Sequence, residues 1–468
     1  MTTIGIPDNR RPHRAVGAPG PRPPRSSPHL FLLSVLFLVV VGAADGQTSL
    51  GGTLSLMNTI YPAGGGALVT DDTDGESGYD WSLRLEPLLT ADTDRFSLTA
   101  RLSIKQEQAR AAEFSLSSLA MELFLGPSIT AKAGKFLYQP GNSEYLSPHD
   151  YLVRTDFEKL FGGESLDAQL GTELLQLTAF LRSAYLRLSY APLKPELLLP
   201  QPDSIWFPRR DIPARYSNFE LRRLYYTAEP QRAPRLSDGS YLAEFGTTLA
   251  GFDLSLLGYY GWSTEALLYP SLGALDLAGF FDVELTPIQE RYGSVGSSVA
   301  TSFGGMRLYG EGSYAFERPY PKSDSFGVVT NDESPYGTVG ALETTVGGSY
   351  NGYLNSVLGG DLFWLALAEH HRVWLLPDSV EPPFLSHAVS TRTEAGHSSG
   401  VSVAVDHVLS LEEGTGWSGA LIPELRFEDT ISSLAGYLRY PLFWGSRDSE
   451  LGQFRGNYLL LLGLELLF

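Results

Sequence analysis

Apolar and polar residues alternate with a period of two in segment after segment of this chain. In Phe96–Lys105 the even positions are apolar, and the odd positions carry Ser, Thr, Arg and Lys. Because successive side chains of a β-strand point to opposite faces, this pattern predicts a strand with one apolar and one polar face. The alternation recurs in Trp81–Glu86, Phe252–Leu256, Met306–Glu317 and Val401–Asp406. Five such segments favour a single all-β architecture.

The alternation and the turn residues together predict eighteen strands, with sixteen as the lower alternative. The predicted strands cover residues 49–61, 79–89, 95–105, 112–124, 128–138, 171–180, 184–191, 241–249, 252–262, 292–303, 306–317, 336–350, 353–366, 384–394, 399–410, 418–428, 431–441 and 454–468. An even count places both chain ends on the same rim.

The predicted connections alternate between short and mostly long. The short ones are Thr90–Asp94, Leu125–Pro127, Leu181–Ser183, Ala250–Gly251, Gly304–Gly305, Asn351–Gly352, Ala395–Ser398 and Asp429–Thr430. Of these, Asn351-Gly352 is the typical dipeptide of a two-residue hairpin. Short turns on one rim and long loops on the other are typical of outer-membrane barrels.

The start of the chain predicts export. Five arginines precede the apolar run Leu30–Val41, and small residues follow it up to Gly46. This is the pattern of a secretory signal peptide, with cleavage after Ala44 or Gly46. We therefore divide the chain into a signal peptide at 1–46, with a long basic Pro/Arg-rich n-region, and a mature domain at 47–468.

No apolar stretch after the signal is long enough for a membrane helix, which needs about twenty residues. Without helices only a closed barrel can pair every backbone polar group within a membrane. The predicted fold is therefore an all-β, transmembrane, antiparallel up-and-down β-barrel located in the bacterial outer membrane. The alternative for the same alternation is a soluble β-sandwich, which would not need one rim of long loops.

Charge and cysteine content narrow the function. The whole chain has 34 basic and 53 acidic residues, and removal of 1–46 leaves 29 and 51, a net charge of −22. Nucleic acid binding demands a basic surface, so this balance excludes nucleic acid as a partner. The chain has no Cys, which rules out disulfides, thiolate metal sites and a lipid-anchoring cysteine.

The last eleven residues form the clearest strand pattern. Even positions from Tyr458 to Phe468 are all apolar, whereas the odd positions include Gly463 and Glu465. The segment resembles the closing strand of bacterial outer-membrane β-barrels, in which the terminal Phe is read by the assembly machinery. This resemblance implies that Phe468 is an assembly signal and that outer-membrane lipids and the barrel assembly machinery are partners.

A second resemblance lies in residues 134–151, which read GKFLYQPGNSEYLSPHDY. The segment is similar to uncharacterised outer-membrane barrel families in which a Gly-Lys strand runs into Trp-Gly and then into Asn-Pro-x-Asp. Positions that match are Gly134, Lys135, Gly141, Pro148 and Asp150; Gln139-Pro140 replaces the tryptophan, and Ser147 replaces the asparagine. The resemblance implies a porin-like barrel and does not specify a solute.

The most distinctive connection is 192–240, because residues 192–236 hold eight prolines and eight basic against five acidic residues. Long loops of large barrels can fold into the lumen, and an arginine-lined constriction favours anions. The candidates for a pore constriction are Arg209, Arg210, Arg215, Arg222 and Arg223. The alternative is an exposed loop whose arginines pair with lipid phosphates or with its own carboxylates.

Charges that alternate with the lipid face are expected to point into the lumen. These residues are Arg84, Glu86, Arg95, Arg101, Lys105, Asp253, Arg307, Glu311 and Glu317. For each of them the alternative is plain solvation of a wet interior, without selectivity for any solute.

Three motifs resemble a calcium loop, a catalytic nucleophile turn and a dinucleotide-binding turn, but the residues around each do not fit that site. The acidic segment Thr70–Glu76 lacks the glutamate that the twelfth position of a calcium loop requires. Gly396–Gly400 matches the Gly-x-Ser-x-Gly motif but joins two strands, and Gly414–Gly419 matches a dinucleotide motif without a following helix. We therefore expect no enzymatic activity, no cofactor and no metal.

The sequence thus predicts a passive channel for small hydrophilic solutes. The alternative is a structural or surface-binding outer-membrane protein without transport.

Overall fold

The computed structural model describes most of the mature domain. The described residues are 47–61, 78–107, 112–155, 168–195, 197–199, 207, 215–216, 219–227, 238–264, 267–275, 278–322, 336–355, 361–412, 416–429, 433–457 and 459–468. The signal peptide 1–46, Tyr458 and the acidic segment Thr70–Glu76 lie outside them. The division into signal peptide and mature domain therefore stays a prediction. Within the described residues, no helix has the length and apolar character needed to cross a membrane.

The described elements are almost entirely strands. They are β1 Gln47–Tyr61, β2 Gly78–Asp92, β3 Phe96–Glu107, β4 Glu113–Gly126, β5 Ile129–Phe136, β6 Arg154–Thr155, β7 Gln169–Leu170, β8 Thr172–Leu181, β9 Ala184–Ala191, β10 Arg215–Tyr216, β11 Phe219–Tyr226, β12 Ser240–Leu249, β13 Phe252–Trp262, β14 Leu267–Leu275, β15 Phe280–Ile288, β16 Arg291–Phe303, β17 Met306–Pro321, β18 Tyr336–Asn355, β19 Asp361–Trp374, β20 His387–His397, β21 Val401–Glu412, β22 Gly416–Asp429, β23 Leu434–Arg439, β24 Leu442–Trp444 and β25 Leu460–Leu467. A 3-10 helix spans Gly452–Phe454.

Nineteen of these strands form one closed antiparallel sheet. The last strand, β25, pairs with β1 from Thr53↔Leu467 to Ile60↔Leu460, and this pairing closes the ring. Both β23 and β24 pair with β22, so they are two parts of one barrel strand that breaks before Pro441. The barrel therefore has eighteen strands, and the predicted all-β antiparallel barrel is confirmed.

Register is consistent around the whole ring. Residues paired across neighbouring strands share a face, so the exposed Leu462, Leu464 and Leu466 place one parity of β25 on the outside. On the opposite parity, Glu465 pairs with Ser55 of β1 and Ala435 of β23 and points inward. The predicted continuous apolar face of this strand is therefore the outer one, and the face with Gly463 and Glu465 is the inner one, where Leu461 is buried.

Two predicted turns are misplaced. Asn351 and Gly352 lie inside β18, paired with Leu365 and Trp364 of β19, so this Asn-Gly is not a hairpin. Ladder pairing of a long strand overrides the local turn preference here. The turn predicted at Ala395–Ser398 lies at 398–400, where Gly400 has a φ of 87°.

Strict alternation also fails at two predicted lumen residues. Glu317 lies in a β-bulge between Ala315 and Arg318, with a φ of 50°, so the parity that groups it with Glu311 does not reach it. Arg95 precedes β3 in an exposed turn, where its backbone N–H donates to Thr93 Oγ1 at 3.2 Å. Neither residue therefore belongs to the regular inward ladder.

Candidate functional site: the barrel interior

A segment that follows β5 folds back across the inside of the barrel. This inner segment, Tyr138–Thr155, contains little regular structure, yet most of its residues are buried or half-buried. Its partners are inward side chains of β12, β13, β17, β18 and β19, described below. In addition, Asn142 donates to Ser298 Oγ of β16, and the Tyr145 hydroxyl donates to Asp406 of β21. The inner segment therefore narrows the lumen from the wall of those strands.

Glu311 of β17 is the first anchor of the inner segment. Its Oε1 accepts the backbone N–H groups of Asn142 and Ser143, the latter at 3.1 Å. Its Oε2 accepts the hydroxyl of Ser147 at 2.8 Å. Hydrogen bonds to an ionised acceptor are roughly twice as strong as neutral ones, so this buried carboxylate fixes the tip of the segment.

Glu369 of β19 repeats this arrangement one step further along the segment. Its two oxygens accept the backbone N–H groups of Glu144 at 2.6 Å and Tyr145 at 3.1 Å. The Tyr309 hydroxyl donates to the same carboxylate. Between the two anchors, Thr345 of β18 donates its hydroxyl to the carbonyl of Leu146 at 2.7 Å.

The two ends of the inner segment are also held by polar groups. At the start, the Tyr138 hydroxyl donates to Glu244 of β12, and Arg187 of β9 pairs with the same carboxylate at 3.0 Å. At the end, the Tyr151 hydroxyl bonds Ser313 at 2.8 Å while its ring stacks on Tyr259 at 4.6 Å. The segment is thus fixed along its whole length.

The inner segment itself carries two titratable side chains, His149 and Asp150. His149 is fully buried; its Nε2 lies 3.1 Å from the carbonyl of Gly312, and its Nδ1 lies 3.9 Å from Glu311 Oε2. Burial, and then repulsion from the Glu311 carboxylate, raises the pKa of Asp150 to about 8. Asp150 is therefore a site where a proton affects the anchoring.

A second stretch of chain, residues 445–457 followed by Leu459, packs inside the opposite part of the barrel. Leu451, Phe454 and Leu459 are buried against inward residues of β20, β22 and β25. Glu450 accepts the backbone N–H of Leu385 at 3.0 Å and the hydroxyl of Ser410. Leu146 of the inner segment packs against the same apolar cluster. The two stretches therefore meet inside the barrel at Leu146.

The wall formed by β1–β4 differs from the rest of the interior. Among the side chains that the structure describes there, every inward one except Ser103 is exposed or half-exposed. On the facing wall the inward side chains of Ser298, Tyr309, Ser313 and Thr345 are buried. The largest solvent-accessible part of the described interior therefore runs along β1–β4.

The structure distributes the remaining predicted lumen charges between the two walls. Arg84 and Glu86 form a 3.8 Å ion pair on β2, next to the inward Lys105 and Arg101 of β3. On the far wall, Arg307 donates to Asn142 Oδ1 of the inner segment at 2.7 Å. Asp253 accepts the hydroxyl of Thr248 at 2.7 Å beside a short turn.

The Arg-rich connection contributes to a small separate sheet. In it β11 pairs in parallel with β15, which pairs with β14, and a core of Phe207, Phe281, Val283 and Leu285 lies beneath. Arg222 forms a bidentate pair with Asp282 at 2.9 and 3.0 Å, and Arg223 lies over the Tyr225 ring. Arg209, Arg210 and the side chain of Arg215 lie outside the described residues. A role of these five arginines in a constriction stays a prediction.

Sequence reasoning gave weight to the arginines of 192–240 and missed the inner segment as the part that narrows the lumen. The available signal was a set of inward carboxylates on separate strands, Glu244, Glu311, Glu369 and Asp406, next to a Pro/Ser/Asn-rich connection at 139–150. Acceptors of this kind, inside a barrel, need donors, and a connection without regular structure supplies its backbone N–H groups.

The Gly-x-Ser-x-Gly match forms a hairpin between β20 and β21, as expected. In this exposed turn, His397 Nδ1 lies 2.9 Å from Ser399 Oγ and 3.1 Å from the Ser399 backbone nitrogen. The contact is that of a local turn. Among the described residues, no group of three or more His, Asp or Glu side chains is arranged to hold a metal.

No protein-family model matches the chain, and no curated protein matches it. Similar solved structures include Pseudomonas aeruginosa OccK2 in complex with glucuronate, at 10% identity and a TM-score of 0.48, covering 90% of this chain and 98% of that chain. P. aeruginosa OccK3 has 8% identity and a TM-score of 0.46, with coverage of 90% and 96%. P. aeruginosa OccK11 has 11% identity and a TM-score of 0.45, with coverage of 91% and 96%. At these scores the likeness carries no assignment, and the fold rests on the strand pairing.

Proposed function

We propose that this protein is a passive outer-membrane channel for small hydrophilic solutes, narrowed by the inner segment Tyr138–Thr155. The observation that carries the proposal is a closed eighteen-stranded barrel with an apolar outside and a polar inside. A barrel of this size is wide enough for an aqueous lumen unless loops close it. The exposed apolar outer side chains suit lipid, and the exposed polar inner wall suits water.

The proposed path runs between the inner segment and the wall β1–β4. Its wall carries both signs of charge, since Arg84 pairs with Glu86 and Lys132 of β5 lies opposite Glu122 of β4. A wall with both signs of charge favours polar solutes in general and does not select anions or cations. The arginines of 192–240 stay a predicted second influence on selectivity at the long-loop rim.

The absence of Cys from the chain makes the path directly testable. We would place single cysteines by Arg101→Cys on the exposed inner wall and by Ala388→Cys on the buried inner face of β20. A charged methanethiosulfonate reagent added during planar-bilayer recording should lower the current of the first variant stepwise. The second variant should keep its current, because its Cβ lies beneath the packed residues 445–457 and Leu459.

Each outcome has a distinct meaning. Rapid block of Ala388→Cys with no effect on Arg101→Cys would move the path to the opposite wall. Wild-type protein that is folded by heat-modifiability on gels but never conducts would refute the channel and favour the structural or surface-binding alternative.

A further inference from the structure

The outer face of β19 and β20 carries an arginine, a tryptophan and two histidines near the rim of long loops. The guanidinium of Arg372 lies 3.9 Å from the centre of the Trp374 ring. The rings of His370 and His387 meet edge to face at 5.3 Å. By register these residues are outward, because their neighbours of opposite parity, Glu369 and His371, are buried inside. We define Arg372, Trp374, His370 and His387 as the rim patch.

The position of the patch along the barrel follows from the two exposed tryptophans of β19. Trp364 and Trp374 are ten residues apart on the same face. At about 3.3 Å per residue and a tilt of about 40°, they are separated by about 25 Å along the barrel axis, the height of the apolar band. Trp374 therefore lies at the upper edge of that band, with Arg372 stacked on it.

The free-energy cost of an outward arginine in a membrane also favours the edge of the apolar band. An outward Arg costs about 2–4 kcal/mol at the middle of a bilayer and about 0–1 kcal/mol near its surface. An Arg that packs its stem on an aromatic ring and directs its head towards the polar layer satisfies this constraint. The patch thus lies where lipid phosphate groups lie.

The surroundings define the charge that the patch accepts. On the outward faces of β18–β21 that the structure describes, there is no Asp or Glu. Beside the patch the exposed surface is apolar, as at Val346, the ladder partner of His370, which is 62% exposed. A cationic group beside an apolar surface matches a molecule with an anionic head and an acyl tail.

We propose that the rim patch binds the phosphate head group of an anionic lipid. The planar guanidinium of Arg372 presents paired N–H donors to phosphate oxygens, and Trp374 holds its orientation. His387, the ladder partner of Arg372, and His370, two residues before it on β19, supply further donors. The inference rests on the proposed membrane location but is independent of conductance.

Native mass spectrometry of the folded, detergent-solubilised full barrel tests this proposal. The probes are phosphatidic acid and phosphatidylcholine of equal chain length, and the variants are Arg372→Gln and, as a matched control, Arg95→Gln on the opposite rim. We expect wild type and the Arg95 variant to retain phosphatidic acid about tenfold better than the Arg372 variant. Phosphatidylcholine retention should be equal in all three.

Three results would overturn the proposal. One is equal retention of phosphatidic acid by the Arg372 variant. Another is full competition by millimolar inorganic phosphate, which would assign the patch to a free anion. The third is a lipid-free dimer that dissociates in the Arg372→Gln variant, which would assign the patch to contact with a second copy of this chain. Bilayer conductance of the same samples reports on the channel separately, so failure of one proposal is distinguishable from failure of the other.

Discussion

Removal of the Glu311 carboxylate is expected to release the tip of the inner segment. The substitution Glu311→Ala deletes the acceptor of three hydrogen bonds, from the N–H groups of Asn142 and Ser143 and the hydroxyl of Ser147. At about 1.5 kcal/mol for each bond to a charged group, the loss amounts to about 4–5 kcal/mol. Relief of the repulsion between Glu311 and Asp150 offsets part of it.

A remaining local loss of about 3–4 kcal/mol corresponds to a hundredfold to thousandfold larger population of the released tip. Hydrogen exchange of the Asn142 and Ser143 amides should accelerate by this factor, and single-channel conductance should rise or flicker. The matched control is Glu394→Gln, which removes an inward carboxylate that pairs with Arg392 of its own strand. Unchanged exchange at Asn142 and Ser143 in the Glu311 variant would refute this anchoring role.

Three further outcomes are expected. Because the pKa of Asp150 is raised to about 8 from about 4 in an unfolded chain, its protonated form stabilises the segment at low pH and is lost as pH rises through 8. Stability falls over the range between these two pKa values, so Asp150→Asn should abolish a fall in amide protection between about pH 4 and pH 8. Gly400→Ala should destabilise the barrel by several kcal/mol in urea titrations, since its Cβ would lie 1.9 Å from a backbone oxygen, whereas Gly251→Ala, with φ of 84° and open space, should cost about 1 kcal/mol. Phe468→Ala should lower the amount of folded, heat-modifiable barrel in outer membranes while leaving refolding in micelles unchanged.

Much of the barrel follows from local sequence, because one face of each strand meets an apolar medium and the other a polar one. That constraint is periodic and appears directly in segments such as Phe96–Lys105. The even strand count follows from turn residues, such as Ala250-Gly251, whose φ angles of 53° and 84° match a tight hairpin. The end of a strand such as β18 is harder to predict from sequence, because Asn351-Gly352 is compatible with both a turn and a paired strand.

The interior could not be predicted in the same way. Several contacts of the inner segment join residues more than 150 positions apart, as between Asn142 and Glu311, and no local period encodes such a pairing. The bulge at Glu317 is similar, because one extra residue changes the parity of everything after it. In the connection 192–240, Arg222 pairs with Asp282, which lies 60 positions later, and no local pattern encodes this contact either.

Carboxylates are suited to hold an irregular segment inside a barrel. A carboxylate that anchors such a segment is no longer available to interact with a solute. Backbone N–H groups without a strand or helix need acceptors, and each carboxylate offers two oxygens that can accept several donors at once. Glu311 and Glu369 use this capacity to bind pairs of successive amides, so they are occupied by the segment itself. In the proposed channel, charges of the opposite wall, such as Arg84, Arg101 and Lys105 with their acidic neighbours, are then available to act on a solute. Variants of the anchors should therefore change pore size, and variants of β2 and β3 should change ion preference.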